Sequence, residues 1–444
     1  MTQIKNPITV VKSGGGGTVN IVNGIVDSFK ANSSTIDANT FVDFIESSLN
    51  SSDNVIDSTS NAGNTKVGSA LIDSDKVFVV YNLGTTIYAV VCTISGTTIT
   101  VGTATTIATD AYSSSRNAVV KIENNKVFVT YNQQSAQANL YAVVCTISGT
   151  TITVGTAVYV SGSSITSYAT TALSSSNVAI AYRRSSNLYT VVCTISGTTI
   201  TVGTAATIAT TYSSSTPGIF AYDANTIVVT YMSSTSPYSL YAVVCTISGT
   251  TITVGTATTI ASNTNIVYKT SISGIQQGAV VVAFSNYISS SSSNLYTVVC
   301  TISGTTITAG EVTMIAQLSA QASYTQPIIS MINNSMAVVV TRNSNTGLRY
   351  FFLKVAEKST VATGELRTIS TTNQYAEESI SVIDSSNIVI FHGVGSSNTV
   401  LRGFVSEVPD FLVSVPDRST GGSIKGLTKT ACSTSSAGEV WALK

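Results

Sequence analysis

A fifteen-residue phrase, Tyr-(Ala/Thr)-Val-Val-Cys-Thr-Ile-Ser-Gly-Thr-Thr-Ile-Thr-(Val/Ala)-Gly, occurs five times in this chain. Its cysteines are Cys92, Cys145, Cys193, Cys245 and Cys300, at intervals of 53, 48, 52 and 55 residues. A repeat of this length, written in β-branched residues and lacking helical periodicity, predicts the blades of a β-propeller. Each such unit is stabilised mainly by its neighbours, so the repeat constrains the architecture more than any other feature.

Residues 115–160 illustrate one unit. Asn117–Ile122 and Val127–Tyr131 read as the first two strands, joined by the polar turn Glu123–Lys126. Both are rich in β-branched and aromatic residues. The third strand, Leu140–Ile147, is apolar on both sides: Tyr141, Val143 and Cys145 face one way, Leu140, Ala142 and Val144 the other. A strand buried on both faces belongs inside a stack of sheets. Ser148-Gly149 turns the chain into a half-exposed outer strand, Thr151–Val154, with a bulge expected at Gly155.

Beyond Cys300 the phrase decays but its frame continues. Leu353 falls 53 residues after Cys300, and Ser406 falls 53 residues after Leu353. The expected fold is therefore all-β: a propeller of seven four-stranded blades of about 52 residues, flanked by short non-repeating β segments. Six blades or an open solenoid are the alternatives, although a solenoid needs polar caps that the sequence does not show. The domain reading is a docking segment with a possible closing strand at 1–57, a propeller at 58–416 and a C-terminal β segment at 417–444. Phe41–Ile45 has the composition of a strand that could close the ring.

Composition narrows the function. Twenty-one basic residues balance 21 acidic ones, and only 9% of the chain is charged, so no basic stripe exists to neutralise the phosphates of a nucleic acid. No apolar run approaches the ~20 residues of a membrane helix, and no signal peptide is visible, so synthesis in a cytoplasm is expected. Equivalent cysteines on blades packed ~10 Å apart are too distant for disulfides. With His392 as the one histidine, neither a metal site nor a cofactor is expected. The cysteines read instead as small buried residues.

Catalysis finds little support. Asp43, Glu46, Asp73, Asp75, Asp223 and Asp384 are scattered, mostly in turns, and no nucleophile elbow or phosphate-cradling glycine loop appears. Comparison among the repeats is more informative. The distance from cysteine to glycine is 10 residues in all five copies, whereas the segment before the third-strand tyrosine runs 7, 10, 7, 10 and 12 residues. One face of the disc is thus uniform and the other varied, and varied loops on a rigid scaffold are where recognition is usually built. The candidate ligand-binding residues there are Gln133, Gln134, Arg183, Arg184, Tyr238, Asn286, Tyr287, Arg342 and Asn343. Loop drift is the plain alternative. For the strand-end tyrosines, packing between blades is favoured over a sugar-binding platform.

The two ends carry a resemblance. Phe29–Ser34 with Ile36–Ile45, and Ile424–Thr430 with Ala437–Trp441, resemble terminal elements of virion proteins from tailed phages of Gram-positive bacteria. Leu427-Thr428 departs from the Val-Ala of that group, and the turn is Ser-rich. The resemblance implies a non-enzymatic structural protein displayed on a phage particle, as a tail fibre or receptor binder or as a capsid decoration protein. Its partners would be other virion proteins and a host cell-surface glycan or protein. In this reading the N-terminal residues Ile8, Val10, Val11, Val19 and Ile21 dock onto the particle by adding strands to an exposed edge. A free lectin-like propeller and a cell-surface glycosidase are the alternatives.

Overall fold

The computed structural model describes residues 8–11, 18–21 and 51–408, the last with short gaps between strands. Residues Ser51–Ser406 form one compact unit. The sheets of this unit are seven antiparallel blades, and each inner strand packs against the inner strands of the blades before and after it. The inner strand of blade 7, Ser379–Val382, meets that of blade 1, Val67–Asp73, so the ring is closed. This is a seven-bladed β-propeller, as the repeat count implies.

Blade 2 follows the expected plan closely. From the axis outward it comprises Ala118–Glu123, Lys126–Gln133, Asn139–Ser148 and an outer strand in two pieces, Thr151–Val154 and Val158–Ser161. The break lies at Gly155, whose N–H donates to Val144 O at 2.9 Å. A Cβ there would stand 2.7 Å from the same oxygen, so only glycine permits the close approach. In the preceding turn Gly149 takes a φ of 62°, which explains the invariable Ser-Gly.

Alternation on the third strand produces the core. Val143 and Cys145 pack with blade 1, while Leu140, Ala142 and Val144 pack with blade 3. All five repeat cysteines are free and buried. Desolvation pushes each thiol up to about 12, the state of an inert apolar side chain rather than a nucleophile.

Near the axis the serines and threonines have a role beyond solubility. Thr130 and Thr170 share a 2.6 Å hydroxyl bond between blades 2 and 3, and Thr230 and Thr270 one of 3.0 Å between blades 4 and 5. Ser271 and Ser273 of blade 5 accept from the backbone N–H groups of Ile329 and Met331 in blade 6. Ser69 meets both Ser379 and Ser381 at 2.8 Å across the closure of the ring. Hydroxyls therefore stitch adjacent blades together through their inner and second strands.

Blade 7 is completed from the other end of the chain. Its outer strand is Ser51–Asn61, antiparallel to Thr399–Glu407. Tyr81 of blade 1 donates to Asp57 Oδ2 at 2.8 Å, tying this strand to the first repeat. Burial, reinforced by that bond, drives the Tyr81 pKa well above its usual value. An N-terminal strand does close the ring, but it is Ser51–Asn61; Phe41–Ile45 lies outside the described residues.

Residues 1–50 and 407–444 group separately from the propeller. Within them, Ile8–Val11 and Thr18–Ile21 pair with each other antiparallel, in the register Ile8↔Ile21, Val10↔Val19 and Val11↔Thr18. The candidate docking strands thus form a hairpin, in which one edge of each is already used. The terminal segments that carry the virion resemblance lie outside the described residues.

Candidate functional site

The up-and-down strand order sends the inner-to-second turns and the third-to-outer turns to one face of the disc. The second-to-third loops and the crossovers between blades emerge on the other. The first face is uniform to the atom. In blades 1 to 6 the same residue of the third strand, Ile94, Ile147, Ile195, Ile247, Ile302 or Val355, donates its N–H to a carbonyl of the inner turn at 2.7 to 2.8 Å. The second face, the loop face, contains the candidate ligand-binding residues that are described.

These candidates are distributed over five blades rather than gathered in one site. Gln133 is half-buried at the end of its strand, and Gln134 lies outside the described residues. Arg183 and Arg184 end the second strand of blade 3 and point to opposite sides, toward blades 4 and 2. Tyr238 is half-buried against the core between blades 4 and 5. Asn286 and Tyr287 lie in an extended hairpin, opposite Asn294 and Ser293. Arg342 is a correction: it is only 7% exposed and forms an ion pair with the buried Glu378, so it supports the frame instead of reaching a ligand. Asn343 pairs with Gly347 in the backbone register.

At the loop-face end of each boundary, the later blade presents one residue from its second strand and one from its third. In five blades these are aromatic pairs: Tyr81–Tyr88, Tyr131–Tyr141, Tyr182–Tyr189, Tyr231–Tyr241 and Phe284–Tyr296, stacked at 5.5 to 6.1 Å. The second-strand ring is buried and the third-strand ring is half-buried. Packing is therefore their first role, and burial pushes Tyr131 and Tyr231 up to about 12.

Between blades 2 and 3 the packing ring extends into an open platform. The Arg184 guanidinium lies 4.6 Å from the centre of the Tyr189 ring. Asn187 donates through Nδ2 to the Tyr189 hydroxyl at 3.1 Å. That bond, with a second from Arg184, lowers the Tyr189 pKa, and the hydrogen bond to Tyr189 raises that of Arg184. Tyr159 contributes to the same local field; it stands 52% exposed and meets Tyr141 edge-on at 5.7 Å. Together these groups offer an exposed aromatic face, a fixed planar cation and an oriented amide.

Sequence reasoning found Arg184 but missed Asn187, Tyr189 and Tyr159 as its companions. One signal was available: Asn-Leu-Tyr recurs at 139–141, 187–189 and 294–296. In blade 5 the same internal bond forms, from Asn294 to Tyr296 at 3.0 Å.

No protein-family model matches the chain, and no curated protein matches it. Among solved structures, the chain is similar to the BP39L lectin from Burkholderia pseudomallei, with a TM-score of 0.58 and 11% identity over 80% of this chain and 99% of that one. It is also similar, at a TM-score of 0.43 and 14% identity, to the six-bladed fucose-recognising lectin of Aleuria aurantia, covering 71% of this chain and 98% of that one. A GH93 α-L-arabinofuranosidase of Fusarium graminearum matches at a TM-score of 0.45 and 10% identity, over 67% and 96%. At such identities the likeness is one of fold. The fold and its varied face define a seven-bladed β-propeller with lectins among its structural neighbours.

Proposed function

We propose that the protein is a non-catalytic recognition propeller that binds carbohydrate on its loop face. The platform between blades 2 and 3 carries this reading. A sugar ring presents an apolar C–H face and a rim of hydroxyls. Exposed Tyr159 suits the face, while the forked donors of Arg184 and the amide of Asn187 suit the rim. The Arg184 fork is held by its contact with Tyr189, so little side-chain freedom is lost on binding. The architecture shared with the B. pseudomallei lectin is in keeping with this reading.

A glycan array probed with the full chain tests the proposal. Tyr159→Ala and Arg184→Ala should each weaken binding by tenfold or more while leaving the melting temperature within a degree or two, because neither side chain fills the core. An array without hits, or hits that both variants retain, would overturn it.

A second reading rests on the hairpin Ile8–Val11/Thr18–Ile21, which lies outside the propeller unit, and on the virion resemblance of the ends. In it, the recognition disc is displayed on a tailed-phage particle and docked through residues 1–50. The chain lacking residues 1–25 would then still fold and bind glycan but would not incorporate into particles. Incorporation of that shortened chain would sink this reading.

A further inference from the structure

The boundary between blades 5 and 6 breaks the aromatic pattern. The two places that hold stacked rings in blades 1 to 5 are occupied in blade 6 by Thr341 and Arg349, which lie opposite each other in register. Ala283, Leu295 and Val299 of blade 5 pack there against Val339, Phe351 and Leu353 of blade 6. Alternation along the strands puts Ser285 and Thr297 on the same side of blade 5, and Thr341 and Arg349 on the facing side of blade 6.

Ser285, Thr297 and Thr341 are 0% exposed. Their hydroxyl oxygens and Nε of Arg349 are buried without a hydrogen-bond partner, and among the described residues Arg349 forms no ion pair. Buried hydroxyls at other boundaries have partners, as the Thr130–Thr170 and Thr230–Thr270 bonds show. Thr190, in the place in blade 3 that Thr297 holds in blade 5, donates to Ile180 O at 3.2 Å. A buried hydroxyl left unmet is costly, and here three lie, with a guanidinium, on the facing sides of two adjacent sheets. In blade 6 the smaller threonine thus stands at the second-strand place where blades 1 to 5 carry a ring.

The four groups share one capacity. The guanidinium only donates, and each hydroxyl can donate. Their joint complement is a compact acceptor carrying negative charge, and a planar carboxylate or a sulfate matches the arginine fork. We infer that the boundary between blades 5 and 6 is a binding slot for an oxyanion, the carboxylate or sulfate of an acidic sugar. Tyr287, two residues beyond Ser285 on the same side, is half-buried at the mouth of the slot, where a sugar ring can rest on it. The identification of the sugar rests on the carbohydrate-binding reading; the oxyanion slot does not.

Calorimetric titration of the full chain with glucuronate, with glucose and with sodium sulfate tests the slot. Two variants accompany it: Arg349→Gln removes the cation, and Thr341→Tyr refills the slot with the ring that other blades carry there. Glucuronate should bind the natural sequence, and both variants should weaken it at least tenfold. Thr341→Tyr should melt no lower than the natural sequence, which keeps the test valid if Arg349→Gln folds poorly. Glucuronate binding unchanged in both variants, or no binding of either anion to the natural sequence, would overturn the slot. Sulfate binding as tightly as glucuronate would overturn the sugar and retain the oxyanion. Array hits on neutral glycans without any anion binding would leave the platform of blades 2 and 3 standing and remove the slot alone.

Discussion

Between blades 2 and 3, Tyr182 and Tyr189 stack at 5.7 Å in a core that also holds Cys193, Val191 and Ala142. Between blades 6 and 7 the corresponding positions hold His392, Arg402 and Ser406, and the facing side supplies Arg342 and Tyr350. There Tyr350 Oη meets Ser406 Oγ at 3.0 Å, and Arg342 pairs with Glu378. Both boundaries share the same strand order. The first depends on non-directional burial and tolerates near-identical copies around the ring. The second depends on specific partners, so each member matters because another would be stranded without it.

Several changes would break or sharpen this contrast. The largest effect is expected from removing the strand that completes blade 7. A chain lacking residues 1–61 exposes the long edge of Thr399–Glu407 and should aggregate without a cooperative transition, whereas one lacking residues 1–50 should melt as the full chain does. Size-exclusion chromatography with thermal melts decides this, and a cooperative chain lacking 1–61 would refute closure by that strand.

Next comes the buried pair. Glu378→Ala strands Arg342 and should cost about 3–5 kcal/mol, while replacing both residues by leucine should cost far less. Denaturant titrations of the single and double variants measure the difference; if the two lose equal stability, the residues are not coupled.

Exchanging the residues at the cysteine place reads the same contrast at smaller scale. Cys193→Ser places a hydroxyl in the apolar core between blades 2 and 3 and should cost about 1–3 kcal/mol. Ser406→Cys removes the partner of the Tyr350 hydroxyl and should cost about 1 kcal/mol. Equal tolerance of both substitutions would mean that the two boundaries are chemically alike.

The smallest effect is a pH dependence. The repeat thiols are held protonated, with folded values raised to about 12 from an ordinary ~8.5. A raised folded pKa gives stability that is fully present below the unfolded value and is lost as pH rises toward the folded one. The melting temperature should therefore decline above roughly pH 8.5, and the decline should be shallower in Cys145→Ala. An identical slope in the variant would show that the thiol contributes nothing to it.

Much of the fold was legible because the repeat displays its own constraints. The Ser-Gly turn, the bulge at Gly155 and the two-sided third strand are each fixed by local backbone chemistry that the text repeats five times. The closing strand was harder to find. Ser51–Asn61 is polar and lacks the aromatic residues that marked Phe41–Ile45, because an outer strand needs only one apolar side. The loop face was legible as a surface, from unequal spacing, but not as sites. Arg183 and Arg184 are sequence neighbours that serve different boundaries, and Arg342 looks exposed until Glu378 is brought beside it from the next blade. Burial of that kind is a product of one blade packing on the next, which no local window contains.

Closure by Ser51–Asn61 also sets a timetable. During synthesis that strand leaves the ribosome roughly 350 residues ahead of its partner, a delay of about 17–70 s at ordinary elongation rates. Six blades can assemble in that interval while the ring stays open, and the waiting strand must neither pair with a passing sheet edge nor collapse. Its composition suits the wait. Asp53, Asp57 and five serines or threonines make it a poor template for aggregation, and its affinity for Thr399–Glu407 arises only when blade 7 presents a matching edge. The polarity that hid this strand in the sequence is thus what lets a disc of nearly uncharged, β-rich repeats be completed last without first joining its neighbours on the polysome.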